Sequence, residues 1–319
     1  MKVFLKAVLG AAVLAACGCG ESTEADGGEG ITVAATTGMI GDVAQQVAGE
    51  TVPVSSIIGE GVDPHLYKPT SSDLKRLFDA DVVFYNGLHL EGKMGEVLEK
   101  LAARGKEVTA VAEVLSSEAN YLISGEEGVD PHVWMDVQAW IKVVDEVEKV
   151  LSAADGGAAD TFRANADRYK RELTALNAYA RKVLQSIPKD QRVLVTAHDA
   201  FGYMEKAYGL EVHGIQGLST ESEASLQGLE ALIKMLVDRK IPAVFVESSV
   251  SQKNVKALVE GAAAQGHTLT IGGELFSDAM GPAGTYEGTY IGMIDHNVTT
   301  IARALGGEAP EKGMNGKLK

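Results

Sequence analysis

Cysteine is nearly absent from this chain of 319 residues, which contains only Cys17 and Cys19. Both lie close to the amino terminus, so the rest of the chain can form no disulfide and offers no thiolate to a metal ion. A Cys-X-Cys metal or redox site at these two positions is an alternative. The Gly- and Glu-rich segment 20–30 that follows is, however, typical of a flexible tether rather than of a folded scaffold.

Positive charge is also scarce. The sequence has 29 Lys and Arg residues against 44 Asp and Glu residues, and its net charge is −15. Such a balance disfavours nucleic acid as a partner and a polyanion as a substrate. With 45% hydrophobic residues, the chain is long enough to form two domains, each with its own core.

Long apolar runs are missing too. The run 7–16, preceded by Lys2 and Lys6, is too short to span a bilayer but has the length of a secretory signal. Leu-Ala-Ala-Cys at 14–17 resembles a bacterial lipobox. We therefore expect a lipoprotein signal peptide at 1–16, a lipid-bearing Cys17, and a tether at 17–30 that holds the protein at the membrane, facing the periplasm or the cell exterior.

Apolar runs alternate with helical periodicities through both halves of the remaining chain, which predicts an α/β fold with two lobes, each a mostly parallel sheet flanked by helices. The predicted strands are 31–35, 52–58, 82–85 and 108–111 in the first lobe, and 193–196, 212–215, 243–247 and 268–271 in the second. The predicted helices of the two lobes are 40–48, 71–78, 94–103, 222–239, 252–265 and 286–305.

A long helix is predicted between the lobes, because apolar residues recur every three or four positions from Phe162 to Ile187. Asp160 or Thr161 is the expected N-cap, and neither Pro nor Gly interrupts the segment. We expect a bridging helix at 160–187, a first lobe at 31–159 and a second at 188–319. A coiled-coil seam between two chains is the alternative use of this stripe, although we expect a monomer.

The tripeptide Asp-Pro-His occurs twice, in GVDPH at 61–65 and again at 128–132. Proline fixes the chain that delivers each imidazole and restricts the preceding aspartate to extended geometry. Histidine is the commonest metal-binding residue. The duplicated frame therefore predicts that His65 and His132 are metal ligands.

The second lobe offers two more candidate ligands. His198 ends a buried strand, where open α/β sheets place their ligands, and Asp278 follows the pair Gly272-Gly273. Local packing of His198 and a turn-forming role of Asp278 are the alternatives. Asp199 and Glu247 are the nearest candidates to accept a hydrogen bond from the outer nitrogen of a ligating histidine, a role that backbone carbonyls fill equally often. The other four histidines are expected to be surface or packing residues: His89, His213, His267 and His296.

Six motifs resemble the metal-receptor family of bacterial ABC transporters, the zinc- and manganese-specific solute-binding lipoproteins of cluster A-I. They are DPHLYKPTSSD, DPHVWMD, TAHDAFGY, GLSTESEAS, FVESSVSQKN and GGELFSDAM, in this order along the chain. The resemblance implies two α/β lobes bridged by one long helix. It also implies a high-affinity extracytoplasmic receptor that captures one divalent ion, Zn or Mn, between the lobes and delivers it to an ABC permease. The ligand set that it implies is His65, His132, His198 and Asp278.

The sequence departs from both specialised groups of this family. Zinc-dedicated members carry a long His-rich loop before the second Asp-Pro-His, whereas segment 116–128 contains no histidine. Manganese-dedicated members often have Glu at the position of His198. The resemblance therefore points to a receptor that takes either metal, and the three imidazoles favour Zn in intrinsic affinity.

Two other classes of protein are considered. A metallohydrolase needs an open coordination position for water, and four protein ligands would fill a tetrahedral sphere, so we expect no enzymatic activity. A lipoprotein that acts only as an adhesin or scaffold would not need the ligand set. Titration of the chelator-stripped protein with metal distinguishes these classes from a receptor.

Overall fold

The computed structural model describes Met1 and residues 30–125 and 128–319. Apart from Met1 and Gly30, the predicted signal peptide and tether lie outside the described residues, and so do Cys17, Cys19, Glu126 and Glu127. Within the described part of the chain, no helix combines the length and apolar character that a membrane span requires.

The first lobe is built on a parallel sheet with the strand order β2-β1-β3-β4. Ala34 of β1 lies opposite Ser55 of β2 and Val83 of β3. The two central strands are almost entirely buried because helices cover both faces of the sheet. The four predicted strands are confirmed as β1 (Val33–Ala35), β2 (Val54–Ser56), β3 (Val82–Tyr85) and β4 (Glu107–Ala110), and three predicted helices as α1 (Gly38–Ala48), α2 (Ser71–Asp79) and α3 (Gly95–Ala103).

A fourth helix of this lobe, α4 (Val137–Ala154), is absent from the sequence-based prediction. It begins where the side chain of Asp136 accepts a hydrogen bond from the backbone N–H of Gln138, at 2.8 Å. Its apolar face is buried against α1 and the long bridging helix. The short hairpin of β5 (Ser124–Gly125) and β6 (Gly128–Val129) precedes it.

The second lobe contains two parallel strand pairs, β7 with β8 and β9 with β10, and β7 also contacts β9. Its first long helix begins at Leu226 rather than at 222, because the hydroxyl of Ser225 caps the N–H of Gly228 at 3.0 Å. Its last helix begins at Tyr290 rather than at 286, where Thr289 is the cap. The elements are β7 (Val193–His198), α6 (Gly202–Tyr208), β8 (Glu211–Gln216), α7 (Leu226–Arg239), β9 (Ala243–Glu247), α8 (Lys253–Ala264), β10 (Thr270–Leu275) and α9 (Tyr290–Ala304).

The bridging helix α5 (Ala159–Gln185) connects the lobes, as predicted. At 1.5 Å per residue, its 27 residues span about 40 Å. The predicted cap was wrong: the N-cap residue is Ala158, which has no side-chain capping bond. The apolar stripe is buried against α1 and α4 on one side and α9 on the other, so it is not available as a seam for a second chain.

Candidate metal centre

His65 is presented by the loop between β2 and α2. The carboxylate of Asp63 accepts a hydrogen bond from the backbone N–H of His65 at 2.8 Å, which closes the turn around Pro64. Downstream, the hydroxyl of Tyr67 donates to Asp73 in the first turn of α2 at 2.6 Å. The histidine is therefore held between a local turn and a helix start.

His132 is presented by the second Asp-Pro-His in the same way. The Asp130 carboxylate accepts the backbone N–H of His132 at 2.9 Å, so both copies of the motif form the same turn. Asp130 also accepts a hydrogen bond from Nδ1 of the imidazole at 2.8 Å, which leaves Nε2 to face the site. That Asp130 accepts this hydrogen bond was not predicted from the sequence, although the duplicated motif contains the residue.

His198 is the last residue of β7, and Glu247 is the last residue of the neighbouring strand β9. Glu247 accepts hydrogen bonds from the backbone N–H of His198 at 2.9 Å and from its Nδ1 at 2.5 Å. Of the two acceptors suggested by the sequence, Glu247 thus has this role. A carboxylate on the outer nitrogen fixes the tautomer and directs Nε2 into the site.

Asp278 lies in the loop after β10 and reaches the site from the second lobe. The preceding residue, Ser277, accepts a hydrogen bond from Nε1 of Trp134 at 2.8 Å. Trp134 follows the second Asp-Pro-His, and its carbonyl accepts the hydroxyl of Tyr290 at 2.8 Å. Trp134 therefore ties the loop of Asp278 to the loop of His132, which belongs to the other lobe.

The structure brings all four predicted side chains together. Asp278 Oδ2 lies 3.2 Å from Nε2 of His198 and 3.6 Å from Nε2 of His65, and Oδ1 lies 3.4 Å from Nε2 of His132. The Nε2 atoms of His65 and His132 are 3.3 Å apart. The four potential ligand atoms all lie within 4.8 Å of one another, and none of the four residues is more than 5% exposed.

Burial and the charges of neighbouring residues shift the pKa values of the side chains in this cluster. Burial lowers the pKa of His65 to about 4, against the opposing effect of Asp278. Burial would also lower the pKa of His198, but the carboxylates of Glu247 and Asp278 outweigh it and raise that pKa well above the ordinary value. Burial would raise the pKa of Asp278, yet the surrounding imidazoles hold it below the ordinary range. The buried carboxylate of Asp278 thus needs a positive charge beside it.

The donor set fits a small divalent cation. Among the described residues, both carboxylate oxygens of Asp278 and Nε2 of His198 are buried without a hydrogen bond of good geometry, which is costly unless another partner binds them. With bonds of about 2.0–2.1 Å, two ligands of a tetrahedral zinc ion lie roughly 3.3 Å apart. The separations of 3.2 to 3.6 Å match that value.

One cleft of about 440 Å³ leads from the surface to Asp278. It lies between α1 and the loop that follows Asp278, and Asp42 and Glu60 line it. Both residues are acidic, and the backbone N–H of Ala283 donates to Glu60 at 2.9 Å across the lobes. The cleft therefore reaches the loop of Asp278, whereas the carboxylate oxygens themselves are buried.

The remaining histidines lie elsewhere in the described structure, as expected. His213 pairs with Glu211 at 2.9 Å, while His267 and His296 bond to backbone carbonyls at 2.7 and 2.9 Å. His89 is exposed on a turn. None of the four belongs to the candidate cluster.

Comparisons with known proteins identify the family of this chain. The profile of the family described as zinc-uptake complex component A, periplasmic (ZnuA), matches residues 33–304. The manganese-binding lipoprotein MntA of Bacillus subtilis is 49% identical over 308 residues, which cover 96% of this chain and 100% of the relative. The zinc-binding protein TroA of Treponema pallidum is 48% identical over 86% of this chain and 88% of its own length.

The fold is shared as well. The solved structure of the periplasmic zinc-binding protein TroA from Treponema pallidum superposes with a TM-score of 0.83, covering 86% of this chain and 99% of that one. The resemblance carried by the six sequence motifs is confirmed. The chain belongs to the ZnuA family of periplasmic zinc-uptake components.

Proposed function

We propose that His65, His132, His198 and Asp278 bind one divalent transition-metal ion at the boundary between the lobes. The observation that carries the proposal is the convergence of three imidazole nitrogens on a buried carboxylate whose oxygens have no hydrogen bond. Three nitrogens and one oxygen form a borderline-soft donor set. Two ligands come from each lobe, so binding of the ion ties the lobes together.

The protein is a solute-binding receptor of an ABC transporter and not an enzyme. Relatives with this function are named as manganese-binding and zinc-binding proteins, and the family is one of metal-uptake components. Four protein ligands would also complete a tetrahedral sphere and leave no position for a catalytic water. The metal ion is the cargo, which the receptor delivers to its permease.

The cargo is Zn or Mn. The two relatives named for different metals are almost equally similar, at 49% and 48% identity, so their names do not separate the two ions. Nitrogen ligands bind Zn more tightly than Mn, whereas Mn becomes the cargo where availability and a relaxed geometry favour it. Because Asp278 is the one oxygen donor of the set, Asp278→Ala should weaken Mn binding proportionally more than Zn binding.

Calorimetric titration of chelator-stripped protein tests the ligand set. The variants His65→Ala, His132→Ala and His198→Ala should each bind Zn far more weakly than the wild-type protein. His213→Ala and His267→Ala are matched controls, since these histidines lie outside the cluster. Wild-type affinity of His198→Ala, or loss of binding in a control, would refute the proposed site.

The receptor works outside the cytoplasm at a membrane, as the lipoprotein names of its relatives imply. We propose that lipid on Cys17 is the anchor and that the protein is a monomer. One acyl chain binds membranes only marginally, so a multiply acylated cysteine is needed for stable attachment. Cys17→Ser should release the protein into the soluble fraction, and retention in the membrane would contradict the assignment. Light scattering of the released protein should give the mass of one chain.

A further inference from the structure

The loop Asn86–Glu91, between β3 and α3, has an unusual backbone. Leu88 and His89 both have positive φ, at 53° and 66°, and directly follow Gly87 at 82°. The N–H of Leu90 bonds to the carbonyl of Gly87 at 3.1 Å, which closes a turn with two left-handed central residues. Residues other than glycine rarely adopt this conformation, and it persists where the surroundings hold it in place.

Glu91 holds this loop from inside the lobe. The residue is 3% exposed. Its Oε1 accepts hydrogen bonds from the Thr36 hydroxyl and the Asn86 N–H, each at 2.6 Å, and its Oε2 accepts the Gly87 N–H at 3.2 Å. A buried carboxylate with three donors fixes both the start of the loop and its contact with the end of β1.

Asn86 connects the loop to the second Asp-Pro-His. It is fully buried, and its Nδ2 donates to the Pro131 carbonyl at 3.0 Å and to the Gly87 carbonyl at 3.1 Å. Pro131 is the residue between Asp130 and His132. The contact with Asp130 orients the imidazole ring of His132, whereas the contact with Asn86 fixes the peptide from which that ring projects.

We infer that Asn86, clamped by Glu91, is a positioning residue for the metal ligand His132. The inference rests on the proposed function, because positioning matters only if His132 binds the ion. The Asn86–Glu91 loop is a rigid support behind the site, and its left-handed turn sets the direction in which the Asn86 amide points. Loss of the amide frees the Pro131 peptide and lets Nε2 of His132 drift from the other ligand atoms.

The test is Asn86→Ala in three backgrounds: wild type, His132→Ala and His198→Ala. The Zn dissociation constant is measured by competition with a chromogenic chelator. In the wild-type and His198→Ala backgrounds, Asn86→Ala should weaken binding about tenfold, the lower end of what loss of a supporting contact costs. In the His132→Ala background its effect should fall below about twofold, since coupled residues are not additive.

The matched control is Asn165→Ala, which removes a similar amide-to-carbonyl bond, from Nδ2 in α5 to the Val47 carbonyl near the end of α1 at 3.1 Å. It should lower the melting temperature without changing the dissociation constant. Glu91→Gln is the second variant, and it should weaken binding without adding to the effect of Asn86→Ala. Unchanged Zn affinity in Asn86→Ala, or an equal loss in all three backgrounds, would overturn the inference while the proposed function stands. Failure of the wild-type protein to bind Zn would overturn both.

Discussion

At the scale of single residues, the three histidines of the candidate site differ in how they are supported. Nδ1 of His132 donates to Asp130, and Nδ1 of His198 donates to Glu247. His65 is held instead through its backbone, and burial keeps its pKa near 4. In the proposed site, the carboxylate on the outer nitrogen of His132 and of His198 should strengthen metal donation from the inner nitrogen.

Replacement of the supporting carboxylate tests this difference. Glu247→Gln keeps the size of the side chain but removes its charge, so the Zn affinity should fall about 10- to 100-fold. Glu260→Gln, at an exposed position of α8, is the matched control and should bind as the wild type does. Titration calorimetry at neutral pH measures both variants, and an unchanged affinity of Glu247→Gln would show that the carboxylate does not tune His198.

At the scale of elements, the sequence predicted the four strands of the first-lobe sheet and the four strands of the two parallel pairs, because each lies in a short, largely apolar run between turn residues. It did not predict α4, whose 18 residues include five valines and one isoleucine. β-Branched residues have a low helix propensity, so α4 forms because it is buried against α1 and α5 rather than because of local preference. Helix starts shifted by up to four residues where serine or threonine caps lie inside the predicted span.

The start of α2 provides a test at this scale. Asp73 and Thr70 form a capping box, and Tyr67 and Arg76 also bond to Asp73. Partial burial would raise the pKa of Asp73, but these hydrogen bonds hold it well below the ordinary value. A lowered folded-state pKa contributes stability above the unfolded value of about 4, and that stability is lost as the pH falls through the folded value.

Asp73→Asn should therefore lower the free energy of unfolding by about 1–2 kcal/mol at pH 7, the cost of losing a cap. The difference from the wild type should shrink as the pH falls below about 4, since protonation of the aspartate in the unfolded chain then progressively offsets the stabilisation of the folded carboxylate. Urea unfolding of the chelator-stripped proteins from pH 7 to pH 2 measures it. A difference that stays constant over this range would contradict the role of the charge.

At the scale of the whole molecule, the site exists because residues far apart in sequence meet across the lobes. The convergence of the four candidate side chains could be predicted, since duplicated motifs and strand ends mark them locally. The contacts between Trp134 and Ser277 and between Tyr203 and Asp130 could not, because they join positions that no local pattern relates. The same holds for Asn86 and Pro131.

We expect the bridging helix to limit how far the lobes can move. Tyr169 of α5 bonds to Asp42 in the first lobe at 2.9 Å, and Tyr179 bonds to Thr299 in the second at 2.8 Å. Without Pro or Gly in its interior, α5 has no site for a sharp kink. Small-angle scattering should therefore give nearly equal radii of gyration with and without metal. A large decrease on metal addition would contradict a rigid bridge and indicate a hinge.

In the proposed site, three imidazoles and one carboxylate hold a single ion. X-ray absorption spectroscopy at the zinc edge tests it most directly on protein loaded with one equivalent of Zn. We expect four N or O ligands at about 2.0–2.1 Å, with outer-shell scattering from three imidazoles. The imidazole contribution should fall to two in His198→Ala and stay unchanged in His213→Ala. A spectrum without imidazole scattering, or one that His198→Ala leaves unaltered, would contradict it.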